Sequence, residues 1–457
     1  MRKFHILAWV GLLALSPLAA TAESLTDALI SAYRHSHLLD QNQAVLRAAD
    51  EDLATAVGTL LPVFNFQASI NGNGVLGPSG QSPINLSETV SLIASMTLFD
   101  FGRGKLGIEL RNELVLASQQ SLVNVEQQVL MDAVTAYVNL GLQGELVAAQ
   151  EGNVRLITQD LRAARDRFEV GEVTRTDVAL SEAQLAAANA ALAESQGNYN
   201  VARERYKATI GHYPSALSAL PNRPNTAKTM AEARQIALRN HPVIRQSQHQ
   251  AKAADIAVEL ARAQMKPTVE GRASLSQTFS NGNSGSISES LGITLNQTIY
   301  AGGQLSSALR KAIAQSQASH AGLRQTGVNV EEAIGRAWSN ILVAIVSIEA
   351  GDQQILAAQA AYEGVKQEAE LGSRTTLDVL DAEQNLLSAK ASRLQASANL
   401  YISQYQLLSA MGLLTADHLR LGIPTFDPNA YLNAVKKAPA TSGRGAKLDK
   451  ILKTLGK

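Results

Sequence analysis

Apolar and polar positions alternate with a period of two in four short stretches, and follow a helical period over most of the remaining chain. In Val90-Ser91-Leu92-Ile93-Ala94-Ser95-Met96-Thr97-Leu98 one face carries Val, Leu, Ala, Met and Leu, and the other mostly Ser and Thr. Leu291–Ile299 keeps this apolar face except at Gln297. Phe64–Ile70 sets Asn65, Gln67 and Ser69 on its polar face, and its counterpart points Thr268, Glu270, Arg272, Ser274 and Ser276 the same way. Strands are therefore predicted at about 62–71, 89–99, 267–279 and 289–300. Ribbons of about ten residues with one apolar and one strongly polar face suit an outer-membrane barrel with a wet lumen better than a soluble sandwich. Phe64, Phe66, Phe99, Phe101 and Tyr300 cluster near the ends that join the helices, as an interfacial aromatic belt does. The Gly/Ser/Asn-rich segments Asn71–Ser87 and Ser280–Ser288 read as outward-facing loops. Four strands cannot close a membrane barrel, for which about eight is the minimum, and lipid tolerates no open edge. The chain must pool its strands with copies of itself; two copies and three both satisfy this.

The helical pattern repeats. At an offset of 205 positions Ala28 meets Ala233, Arg34 meets Arg239, Asp50 meets Asp255 and Pro62 meets Pro267. At an offset of 201, unbroken from Thr97 to Gly211, Gly102 meets Gly303, Gly171 meets Gly372, Glu182 meets Glu383 and Gly211 meets Gly412. The predicted organisation is a leader over 1–22, a first structural repeat over 23–212, a connector over 213–228 with three prolines in Gly211–Lys228, a second repeat over 229–412 and a tail over 413–457, Lys-rich from Lys436. Each repeat is expected to hold one helix before its strands, Ser24 to Leu61 stopped by Pro62, or Met230–Lys266. A long helix follows the strands, Gly104 to Val170 or Gln304–Leu371, and then a shorter one, Thr174 to Ile210 or Thr375–Met411. About 67 residues make a rod of roughly 100 Å and about 37 make roughly 55 Å, so two short helices end to end match one long one. Ile334, Trp338, Ile341, Ile345 and Ile348 step like a coiled-coil seam, which weakens at Asp352 and Gln359.

Composition narrows the chemistry. The 457 residues carry 40 basic and 40 acidic side chains, so charge points to no nucleic acid and no acidic surface. Aromatics are only 4%, which favours Ala/Leu/Gln helices, and with no cysteine there is no disulfide, thiol chemistry or Cys-based zinc site. Arg2 and Lys3, the apolar run Ile6 to Leu15 and Ala20-Thr21-Ala22 read as a cleaved secretory signal, so the mature chain is exported. No later run is expected to reach the roughly 18 apolar residues of a membrane-spanning helix. No phosphate loop, nucleophile elbow or His-Glu metal motif occurs, so no enzyme and no cofactor is expected. His35 and His37 do not share a helix face and read as solvated.

The most distinctive local pattern is Gly372-Ser373-Arg374-Thr375-Thr376-Leu377-Asp378-Val379-Leu380-Asp381. Gly372 can end one helix in the left-handed conformation, and Thr375 with Asp378 makes a capping box for the next. A fainter copy has Gly171, Thr174 and Asp177 in the same places. Arg374 and Asp381 break the repeat, since their counterparts are Val173 and Leu180. Around a symmetry axis Asp378 and Asp381 place two carboxylates per chain in a ring that concentrates cations and narrows a pore.

These residues, with Ala410-Met411-Gly412 and Thr176-Asp177-Val178, resemble the TolC-like outer membrane efflux protein family over nearly all of the mature chain. The resemblance implies an all-α periplasmic coiled-coil tunnel plus a transmembrane β-barrel, with four strands per protomer and twelve in a homotrimer. It implies an outer-membrane exit duct for multidrug efflux or type I secretion. The duct is passive, and a periplasmic adaptor and an inner-membrane pump of RND or ABC type open it. Arg374 and Asp177 become a latch at the tunnel mouth, Asp378 and Asp381 a cation-binding acidic ring, and the turns at Gly171, Thr174, Gly372 and Thr375 the contacts for adaptor or pump. The family's tyrosine five residues before the arginine is Ala369 here. The rival reading from the helices alone is a periplasmic coiled-coil scaffold or adaptor without a barrel.

Overall fold

The computed structural model describes residues 22–74, 85–214, 216–280, 283–435 and 450. The expected leader falls almost wholly on residues 1–21, outside the described residues. So do the centres of the two loop segments, at 75–84 and 281–282, and the Lys-rich tail at 436–449 and 451–457. The elements are α1 (Leu25–His35), α2 (His37–Gly58), β1 (Val63–Asn73), β2 (Asn85–Phe99), α3 (Arg103–Glu169), α4 (Arg175–Ile210), α5 (Met230–Asn240), α6 (Pro242–Ala263), β3 (Thr268–Ser280), β4 (Asn283–Asn296), α7 (Gln304–Glu370), α8 (Thr376–Ala410) and α9 (Pro428–Val435). The series helix, helix, strand, strand, long helix, shorter helix thus occurs twice.

The single helix expected ahead of each strand pair is two helices. Ser36 caps α2 by accepting a hydrogen bond from the Leu39 amide, and His241 caps α6 by accepting one from Val243 at Nδ1. The two caps occupy equivalent places in the repeat. Burial keeps the His241 ring neutral, with its pKa pushed down to about 4, so Nδ1 stays an acceptor. Pro242 at the first position of α6 supplies the fixed φ and needs no amide donor there. Each joint sits against the glycine that ends the last helix of its own repeat. A Cβ on Gly211 would lie 2.8 Å from Cγ of His35, and one on Gly412 would lie 2.7 Å from Cα of His241. Both glycines are also left-handed, at φ 100° and 75°. Nor does the first helix run to Pro62: α2 ends at Gly58, with Thr59 as its cap. His35 and His37 flank the break, and His37 is fully exposed.

The described residues form two compact units, one within 36–132, 224–350 and 399–457, the other within 1–35, 133–223 and 351–398. The first holds the sheet, antiparallel in the order β1-β2-β3-β4. Its register lines up the alternating residues. Phe66 faces Leu92, Leu92 faces Leu275, and Leu275 faces Glu289; one row along, Phe64, Ala94, Ala273 and Leu291 align. One whole face is therefore mainly apolar, and it is bare: Phe66 is 72% exposed and Leu291 88%. The other face carries Asn65, Gln67, Ser91, Ser95, Arg272 and Ser276. The strand limits differ from expectation at both hairpins, where the ladder runs out to Asn73↔Asn85 and Ser280↔Asn283. Polar residues near a hairpin can still pair their backbones. β4 stops at Asn296, short of Tyr300, ahead of the left-handed pair Gly302 and Gly303. Asp100 turns β2 into α3 by accepting from the Gly102 and Gly104 amides at 3.0 and 2.5 Å. Glu113 on α3 is buried but paired, with His249 at 2.8 Å and Lys252 at 2.5 Å, both on α6.

Two expectations about α7 are corrected. In this unit its buried stripe runs through Ile334, Ala337 and Ala344, while Ile345 is exposed, so small residues rather than Trp338 and Ile345 make the close approach. α7 also contains an 18-residue window of mean hydropathy 1.4, long and apolar enough to cross a membrane by length and composition. The reason is a second apolar stripe: Leu342, Val343 and Val346 are more than half exposed beside the buried one.

The second unit holds α1, α4 and both tip turns. Tyr137 and Tyr206 are fully buried there. The Tyr137 hydroxyl lies 2.9 Å from the Glu23 carbonyl oxygen and 2.8 Å from that of Ser218. Glu23 bridges to Leu217 of the connector in parallel register, so the connector is sewn to the start of the first repeat.

The helix joints give a graded stability prediction. A left-handed backbone alone costs alanine about 1–2 kcal/mol, the whole expected loss for Gly372→Ala, where a Cβ meets nothing within 4 Å. Gly211→Ala costs more, because a His35 side chain must turn aside. Gly412→Ala costs most, because the obstacle is backbone. Urea unfolding of the three variants checks the order.

Candidate functional site

The tips are built by short-range hydrogen bonds that the two copies share. α7 ends as Gly372 turns left-handed at φ 79°, and the Ser373 amide donates back to the Glu368 carbonyl at 2.9 Å. In the first tip Gly171 has φ 80°, and the Glu172 amide donates to the Arg167 carbonyl at 2.9 Å. This six-to-one bond satisfies a carbonyl that the helix end leaves free. Neither glycine has a neighbour near its absent Cβ, so conformation, not space, requires it.

Both capping boxes form. Asp177 Oδ2 accepts from the Thr174 amide at 2.9 Å and its hydroxyl at 2.7 Å, and the Asp177 amide donates to Thr174 Oγ1 at 3.3 Å. Asp378 and Thr375 repeat this at 3.0, 2.9 and 3.3 Å. The hydroxyl and amide of Thr174 hold the Asp177 carboxyl below the usual range, and the Thr376 hydroxyl of the other tip adds to this. The Thr375 amide and hydroxyl do the same for Asp378, with Arg374 assisting. Both carboxyls are thereby held further toward the ionised form than a free aspartate. Asp381 lies one turn past Asp378 and is exposed.

The latch does not form within one chain. Arg374 Nε donates to Glu368 Oε2 at 2.9 Å, and this bond holds the guanidinium further toward its charged form. Asp177 is engaged by Thr174 and Thr376 instead. The reason is local: the reversal at Gly372 folds Arg374 back over the last turns of its own helix, where it meets Glu368.

The sequence profile of the outer membrane efflux protein family matches this chain twice, over residues 29–212 and 233–413. The outer membrane efflux protein BepC of Brucella suis is 32% identical, covering 92% of this chain and 91% of its own. The outer membrane protein TolC of Escherichia coli is 25% identical over 96% and 93%. The crystal structure of the outer membrane protein VceC of Vibrio cholerae matches with a TM-score of 0.73 at 21% identity, over 85% of this chain and 96% of that one. The chain belongs to the outer membrane efflux protein family. Its residence is the outer membrane, and the fold, mostly helical with a few strands, is the one these channels share.

Two features of this efflux protein escape a reading of the sequence. The first is Glu368, the partner Arg374 actually takes. The second lies in the same unit behind the tips, where Asp160 of α3, Tyr362 and Lys366 of α7 and Glu383 of α8 meet. Glu383 is 3% exposed, and burial, then the charge of Asp160, pushes its carboxyl up to about 7. The available signal was the identity of Glu182 and Glu383 across the repeat. The repeat counterpart of Ala369 is Phe168, which is 45% exposed.

The caps carry a measurable share of tip order. Thr174→Ala and Thr375→Ala are each expected to cost about 1 kcal/mol locally. Faster amide exchange confined to the first turn of α4 or of α8 is the outcome to look for.

Proposed function

We propose that three copies of this chain pool their strands into one twelve-stranded barrel and form a passive exit duct whose helical part lies in the periplasm. The observation that carries this reading is the sheet: one apolar face is bare, and among the described residues β1 and β4 each lack a neighbour on one side. In lipid such edges must be paired, and four strands are too few to pair them alone. The second apolar stripe on α7, exposed in one chain, is covered by a sister chain in the same assembly. A soluble periplasmic scaffold has no use for a bare apolar face of this kind.

The chain offers no energy source, so an inner-membrane pump of RND or ABC type, joined through a periplasmic adaptor, drives export. The turns at Gly171, Thr174, Gly372 and Thr375 meet these partners. Cargo is of the classes that such pumps deliver, drugs and detergent-like amphiphiles or secreted polypeptides. Asp378 and Asp381 of three chains form the acidic ring at the mouth. Closure is an exchange of partners: Arg374 leaves Glu368 for Asp177 when the tips converge in the assembly.

The oligomer is tested first. Detergent-solubilised protein from outer membranes should have the mass of three chains and resist heat; a water-soluble monomer rejects the duct. In planar bilayers Arg374→Ala and Asp177→Ala should each raise conductance, while Glu368→Gln, which removes the competing acceptor, should lower it. Unchanged conductance in all three discards the latch. Asp378→Asn combined with Asp381→Asn should weaken block by divalent cations by roughly tenfold; equal block removes the ring.

A further inference from the structure

The apolar face of the sheet carries two carboxylates. Glu88 stands in the row of Ile70 and Phe279, and Glu289 in the row of Phe66, Leu92 and Leu275. At the end that joins the helices, Leu295 pairs with Val269 and Val269 with Phe99. From that row Glu88 is eleven residues away along β2, and Glu289 six along β4. At ~3.3 Å per residue and a tilt of ~40°, these steps give heights of ~28 and ~15 Å, against an apolar band ~25 Å tall. In a barrel of this chain Glu88 clears the lipid and Glu289 does not.

A carboxylate facing hydrocarbon needs a counter-charge, and the strands supply none. Arg272 is the one basic residue in β1–β4, and it lies on the polar face. A sister chain would bring its β1 against β4, and Val63–Asn73 holds no charged residue. Among the described residues Glu289 forms no hydrogen bond or ion pair. Beside it the sheet is hollow. In the next row toward the helices Ala94 and Ala273 are adjacent, between Phe64 and Leu291. The row of Leu92, Leu275 and Glu289 bounds them on the hairpin side, which leaves an open concavity of about 600 Å³, a size that small ligands use.

We propose that this hollow binds a single-chain amphiphile with a primary ammonium head, taken from the membrane, its ammonium on Glu289 and its chain over Ala94 and Ala273 toward the helix end of the sheet. This rests on the sheet being part of a membrane barrel. Charge selects the head, since a carboxylate attracts a cation and an ammonium adds N–H donors that its oxygens accept. The surroundings select against a metal ion. Ca²⁺ and Mg²⁺ take about six or more oxygen ligands, whereas the neighbours of Glu289 on its face are Leu275 across the ladder and Ile287 and Leu291 along the strand. Shape selects the tail. The floor is two alanines wide, on strands about 5 Å apart, which leaves room for one hydrocarbon chain rather than two. Apolar contact along that floor and the ion pair at its end hold the two parts of one molecule, as an amphiphile requires.

The test uses the full-length oligomer in phosphatidylcholine nanodiscs and a hexadecylamine that carries a photoreactive diazirine at mid-chain. The label should map to the peptides around Ala94 and Ala273. Unlabelled hexadecylamine should displace it at a concentration lower by about tenfold or more than hexadecyl sulfate does, the scale of a hydrogen bond to a charged group. Glu289→Gln should remove that preference, and Glu88→Gln should leave it. Ala273→Leu, which fills the floor and keeps the charge, should also displace the label. Each variant is first shown to form the heat-resistant oligomer. Label spread evenly over the apolar face, or a preference that survives Glu289→Gln, overturns the site. So does displacement by phosphatidylethanolamine, which makes the occupant a bulk lipid, or by lipid A only when Mg²⁺ is present, which makes it a bridged anion. Insertion and conductance separate this from the barrel itself: a conducting oligomer with even labelling rejects the site alone, and a protein that never enters nanodiscs rejects the barrel and the site with it.

Discussion

A sheet that, among the described residues, has two unpaired edges and one bare apolar face constrains everything else in this chain. Water could hydrate the edge groups, but it would then also wet the rows through Phe66, Leu92 and Leu275. Lipid welcomes those rows but hydrates no backbone group. The two demands are met together only when the edge of one chain pairs with the edge of another. The same requirement explains why the polar face is so polar. Asn65, Gln67, Arg272 and the serines beside them need water on the other side of the sheet, and a closed barrel provides a wet lumen there.

Duplication divides the chain's residues by what they do. Where the copies agree, they set geometry: Ser36 and His241 at the helix joints, Gly211 and Gly412 behind those joints, and the Thr–Asp boxes at the tips. Where they differ, one copy has taken on chemistry that the other lacks. Asp255 is half exposed and bonded to Ser316 and His320. Its counterpart Asp50 is 1% exposed and has its carboxyl raised to about 6, by burial first and then by Glu51, while the sequence positions equivalent to Ser316 and His320 hold Val115 and Gln119. At the tips the second copy carries Arg374 and Asp381, and behind them Lys366 pairs with Asp160 of α3 where Arg165 pairs with Glu182 of α4.

What could be read in advance was short in range. Period-two strands, capping boxes and left-handed glycines are fixed by residues within a few positions of each other, and these could be read from the chain itself. The helix joints were missed because the apolar stripe continues across them. Pro242 after His241 was the visible sign, since proline suits a first helical position and not an interior one. The α7 seam was misread because alanine and glycine bury as well as isoleucine where helices come close. Glu368 was passed over as the partner of Arg374 because six positions do not share a helix face, and only the reversal at Gly372 brings them together. The cluster around Glu383 needed three helices in place at once, so no window of sequence contains it.

The exposure of the tip groups bears on how a gate of this kind can work. Arg374 and Glu368 are each about half exposed, and ion pairs that water reaches contribute little, because the solvent offers nearly the same stabilisation. Arg374 can therefore leave Glu368 at little cost in the proposed exchange for Asp177, so a latch of this kind is shallow. Shallow latches also leak unless they are many or are backed by something that solvent does not screen. The proposed trimer would supply the number. About two turns behind the tip Glu383 is almost fully buried, where a change of charge is screened least.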